Sequence, residues 1–123
     1  MVQKKYQIPN AGPWHRARAA STANVTVATL DAGQVLDGVT LAEGDVVLLK
    51  NQTTASENGL YKIKADGSAP TRQTTDQPAG TETAGSVVRV TSGTANAGKA
   101  FLQYKESGIA GTDGLVYIEH PRP

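Results

Sequence analysis

The chain contains no cysteine. That removes disulfide staples, thiolate metal sites and a cysteine nucleophile together, and it fits a protein made in a reducing compartment. Aromatic residues are scarce, with one Trp, one Phe and four Tyr in 123 residues. A sugar-hydrolysing cleft wants aromatic walls, and a nucleic-acid surface wants interleaved stacking platforms, so both are disfavoured. No apolar run approaches the roughly 20 residues that span a bilayer. No apolar stretch follows Met1-Val-Gln-Lys-Lys5 either, so no secretion signal is visible. Acids are missing from the whole segment before Asp31.

That last absence creates an asymmetry inside a net charge of +1. Before Asp31 there are four basic side chains, Lys4, Lys5, Arg16 and Arg18, and no acid, giving +4 locally. Pro9, Gly12 and Pro13 interrupt any regular element there. Residues 1–20 therefore read as an extended basic N-terminal arm, with residues 21–123 as a single β domain. The arm's candidate partner-docking residues are Lys4, Lys5, Tyr6, Trp14, Arg16 and Arg18. Four charges over this span do not make a specific nucleic-acid site. They fit an arm docked on another protein, with Trp14 as an anchor on the domain or on a neighbouring subunit.

What the chain does have is Gly, Thr, Ala and Val, with turn signals at short intervals. Val25 and Val27 alternate with polar or small neighbours and predict a strand. Asp37-Gly38 predicts a turn, and Asp66-Gly67 a two-residue hairpin turn. Val46-Val-Leu-Leu49 predicts a strand buried on both faces. Further strands are expected over 60–64, 86–91, 100–105 and 115–118, with long polar loops at 51–59 and 71–85. About seven to nine short strands and no long amphipathic helix give an all-β fold, a small antiparallel barrel or sandwich.

Gly93-Thr-Ala-Asn-Ala-Gly-Lys-Ala100 fits seven positions of the phosphate-binding pattern G-x-x-x-x-G-K-[ST]. The eighth position, Ala100, has no hydroxyl for Mg²⁺, and a strand rather than a helix is expected to follow. The stretch therefore reads as a glycine-rich hairpin loop, and no cofactor is expected. The two histidines, His15 and His120, lie away from any predicted rigid element, so no catalytic residue is assigned. Asp31, Asp37, Glu43 and Asp45 are close in sequence but lack calcium-loop spacing, so no metal site is assigned.

The block from Leu36 to Tyr61, LDGVTLAEGDVVLLKNQTTASENGLY, resembles a module of tailed-bacteriophage structural proteins found in tail fibres and related virion proteins. Ser21–Val27 stands where that module has its first element. Arg72 and Asp76 stand in its middle block, and Gly85 to Gly98 in its last. The resemblance spans roughly residues 21–104 and is most specific over 37–61. It implies a non-enzymatic virion protein assembled in the bacterial cytoplasm, and it gives GTANAG the role of a strand-to-strand loop. The chain from Met1 to Pro123 reads as free-standing, which suits an accessory decoration or cement protein on the capsid. The alternative is a tail-fibre or adaptor component that binds a receptor or glycan through loops 51–58 and 71–83. Expected partners are the major capsid protein or tail proteins, together with further copies of the chain, a trimer being favoured. No membrane and no specific nucleic acid are expected.

Overall fold

A computed structural model describes residues 14–72, 85–104 and 109–119, with Trp14 described by its backbone alone. The protein is all-β. Among the described residues, ten short strands run β1 Trp14–Ala17, β2 Ala19–Ala20, β3 Val35–Leu36, β4 Val39–Thr40, β5 Val46–Leu49, β6 Gly59–Lys62, β7 Thr71–Arg72, β8 Val87–Val90, β9 Ala100–Gln103 and β10 Tyr117–Glu119. They build one sheet of order β1-β8-β9-β10, a second of order β2-β5-β6-β7, and the small hairpin β3-β4. The two larger sheets are open and form a sandwich. The expected antiparallel pairing holds for most neighbours, but β1 pairs with β8 and β2 with β5 in parallel.

Those parallel pairs change the reading of the N-terminal segment. Residues 14–20 are not an arm outside the domain. They pass from one sheet to the other, with a bend at Arg18 between β1 and β2. Arg18 N–H donates to Val46 O at 2.7 Å and Ser21 N–H to Leu48 O at 2.9 Å, both on the second sheet. In the other direction, Thr91 and Ser92 N–H groups donate to Ala17 O and Arg18 O, each at 2.9 Å. A strand that switches sheets through a bend is how sandwich corners are made. The side chains explain why alanines stand here: Ala17, Ala19 and Ala20 are fully buried, where the backbones of two sheets converge. Lys4, Lys5 and Tyr6 lie outside the described residues.

The core has two layers. Between the sheets lie Ala17, Ala20, Leu48, Leu60, Val88, Val90, Phe101, Leu115 and Tyr117. Behind the second sheet, Ala19, Val47, Leu49, Tyr61 and Ile63 meet Leu30, Leu36, Val39 and Leu41. The second sheet is thus covered on both faces, which is why β5 needs consecutive apolar residues. At Asp37-Gly38 the predicted turn forms with positive φ at both positions, 50° and 81°, as a two-residue type I′ connection requires. Asp66-Gly67 differs. Gly67 alone has positive φ there, and the β6–β7 pairing Lys62↔Thr71 leaves a longer connection. The strand predicted at Val25–Val27 is also absent; Val27–Thr29 is a short 3₁₀ turn. Among the described residues no strand pairs with this segment. Instead the Gln52 carboxamide accepts from Val25 N–H at 2.8 Å and donates to Val25 O at 2.7 Å.

Enlarging the corner tests this architecture. Ala17→Leu is expected to cost about 1–3 kcal/mol through overpacking, read as a lower urea midpoint. An unchanged midpoint would mean that the segment does not sit between the sheets.

Candidate functional site

The phosphate-loop look-alike has a structural explanation. Residues 94–98 form a turn between β8 and β9, and their amides do hold an anion, namely the carboxylate of Asp37. Ala95 N–H donates to Asp37 Oδ1 at 3.0 Å, Asn96 N–H to Oδ2 at 2.9 Å, and Thr94 N–H to Asp37 O at 2.9 Å. Gly93 is required for this approach: its φ is 127°, and a Cβ there would collide with Asp37 Oδ2. Asn96 is buried and donates from Nδ2 to Ala20 O and Ser21 O, each at 3.3 Å. The loop thereby joins the β3-β4 turn to the corner segment. Lys99 points elsewhere, with its Nζ 3.9 Å from Glu119 Oε1 on β10.

The Gln52–Tyr61 stretch is organised in the same way. Asn58 is buried; its Oδ1 accepts from Gln52 N–H and its Nδ2 donates to Leu115 O, both at 2.9 Å. Gln52 Nε2 also donates to Glu57 Oε1 at 3.0 Å. Arg72 reaches back across β6 and donates from Nη1 to Asn58 O at 2.9 Å and from Nη2 to Ser56 O at 2.5 Å. Its guanidinium stacks 4.9 Å from the centre of the Tyr61 ring. Gly59, at φ 137°, leaves the space that Arg72 Nη1 fills. The Tyr61 hydroxyl donates to Glu57 O at 2.7 Å. Burial pushes this hydroxyl above the ordinary tyrosine range, against the opposing pull of Arg72.

Three of the four acids considered for a metal, Asp31, Asp37 and Asp45, have separate structural tasks. Asp31 Oδ2 accepts from Gly67 N–H at 2.6 Å, and Asp45 Oδ2 accepts from Ala42 N–H at 2.9 Å and Arg18 Nη1 at 3.3 Å. Among the described residues no group of three or more His, Cys, Asp or Glu side chains is placed to hold an ion. His15 is buried on β1, and His120 lies outside the described residues. Half-buried Lys50 sits 4.8 Å over the Phe101 ring, and its Nζ donates to Asn51 Oδ1 at 3.2 Å. Burial first, and Lys99 second, lower its proton affinity.

What is left for a partner is the outer face of the first sheet, buried at Val87 and open around it. Inward residues on its strands alternate with outward ones. The outward positions include Arg16 on β1, Arg89 on β8, Leu102 on β9 and Ile118 on β10. Arg16 and Arg89 are directly opposite in the β1–β8 register, and both are exposed. Ile118 pairs with Leu102, and Tyr104 follows just past the end of β9. Of the expected docking residues, Arg16 therefore lies on an open surface, Arg18 is engaged with Asp45, and the backbone of Trp14 opens β1 opposite Val87.

No family model, curated protein or solved structure matches the chain. The geometry alone therefore ranks the residues. Arg89 was not singled out from the sequence, although its place between Val88 and Val90 marks it as outward. Its pairing with Arg16 depends on a parallel register between segments far apart in the chain, which no local pattern records.

Two measurements test the engaged loops. Asp37→Ala strands the Ala95 and Asn96 amides and is expected to cost about 1–3 kcal/mol, whereas Lys99→Ala, which removes only an exposed ion pair, is expected to cost less than about 1 kcal/mol. Calorimetric melting of both variants reads the difference; equal effects would contradict it. For Tyr61, the folded hydroxyl ionises above its ordinary value of 10.0. The unfolded chain therefore loses this proton first, and this contribution to stability falls as pH rises past about 10. Spectrophotometric titration of the wild type minus Tyr61→Phe is expected to give a midpoint above 10; a midpoint at or below it would count against burial of the ring.

Proposed function

We propose that the protein is a non-enzymatic bacteriophage virion protein, an accessory decoration or cement protein repeated on the capsid surface. The observation that carries this reading is that the polar residues of the phage-like block, Asp37, Asp45, Gln52, Glu57 and Asn58, are bonded to the protein's own backbone and side chains. In such a module the motif specifies a rigid, loop-latched β-sandwich, and contacts with partners fall to the surfaces around it. An open sheet face bearing arginine, tyrosine and aliphatic side chains suits a component that sits on another protein. Small sandwiches with modest cores also gain from association, so further copies of the chain around a three-fold position are part of the proposal.

The second reading, a tail-fibre component that binds a receptor or glycan, has weaker support. In the loop at 51–58, Gln52 and Asn58 are buried and directed into the fold, leaving fewer polar groups for a sugar. Most of the other loop, 73–83, lies outside the described residues.

Purified virions labelled with an antibody to this protein and imaged by electron microscopy test the assignment. Label spread over the head is the expected result. Label confined to the tail would transfer the assignment to the fibre reading, and virions without label would overturn both.

A further inference from the structure

We propose that the outer face of the first sheet docks an acidic polypeptide segment, gripped by Arg16 and Arg89 and seated on Leu102, Tyr104 and Ile118. The register places the two arginines directly across from each other. Like charges in that position oppose pairing of the strands, so the pair is not there for the stability of the sheet. Arg18, by contrast, is paired with Asp45 and Lys99 with Glu119. Among the described residues neither the Arg16 nor the Arg89 side chain has an ion pair or hydrogen bond. Two planar guanidinium forks side by side match carboxylates, each of which takes a bidentate pair.

The neighbouring positions favour a polypeptide over a nucleic acid. Ile118 is 43% and Tyr104 55% exposed, and Leu102 is partly exposed between β8 and β10. An apolar strip beside a compact basic pair is the composition of a protein interface. Phosphate tracking needs a longer basic stripe. The inference rests on the reading of the protein as a particle component, where the acidic segment belongs to a neighbouring particle protein.

The test uses the full chain and fluorescein-labelled poly-L-glutamate, followed by anisotropy at low ionic strength, where charge pairing is least screened. Saturable binding is expected. Arg89→Glu weakens it about tenfold or more, Arg16→Glu/Arg89→Glu abolishes it, and Lys62→Glu, an exposed change on the second sheet, leaves it intact. The Arg89→Glu variant also melts no lower than the wild type, because an opposed pair replaces a like pair, so its loss of binding is not a loss of fold. The proposal is overturned if the wild type ignores poly-L-glutamate, if Lys62→Glu weakens binding equally, or if a single-stranded DNA oligonucleotide binds more tightly through the same arginines. Virion imaging separates the two readings. Binding by a protein absent from virions leaves the docking face standing and removes the particle, whereas a virion protein that ignores poly-L-glutamate does the reverse.

Discussion

The sandwich depends on one shared segment. Residues 14–21 hydrogen-bond to β8 on one side of the Arg18 bend and to β5 on the other. Each sheet thus takes its first strand from the same short piece of chain. The alanines here contribute little hydrophobic area of their own. Their value is that they let two backbones come close enough for Leu48, Leu60, Val88 and Val90 to meet between the sheets. A small protein without disulfides gains from a device of this kind, because the segment must leave its main-chain partners in at least one sheet before the two can separate.

Side chains that imitate backbone complete the structure. The Gln52 carboxamide serves Val25 as a neighbouring strand would, the Asp37 carboxylate collects the amides of the 94–96 turn, and Asn96 reaches the carbonyls of the corner. Buried backbone groups need partners, and short strands leave many of them outside the ladders. Asx and Gln side chains supply those partners at fixed positions. This is why a loop can match most of a phosphate-binding pattern: the same amides, turned by the same glycines, satisfy an internal carboxylate.

The strands with local signatures were legible in the sequence. Val46–Leu49 announces burial on both faces, Tyr61 and Ile63 alternate with lysines, and Asp37-Gly38 specifies its own turn. The corner was not legible. Arg16-Ala-Arg-Ala-Ala20 has neither β-branched residues nor apolar bulk, so in the sequence its basic charge dominates and it reads as an arm. Its strand character comes from parallel partners far along the chain, and parallel pairing leaves no turn to mark it. For the same reason the Arg16–Arg89 pair could be seen only after folding, and Val25–Val27 looked like a strand although its bonding partner is a side chain.

The measurement that bears most directly on this account is native-state hydrogen exchange of the Arg18 and Ser21 amides, which donate to Val46 O and Leu48 O. If the segment is the corner of the sandwich, these amides exchange only with the opening of β5 and β6, at the protection of the core. If they exchange at the rate of an unstructured chain while β5 stays protected, the segment is an arm after all, and the shared-strand account is wrong.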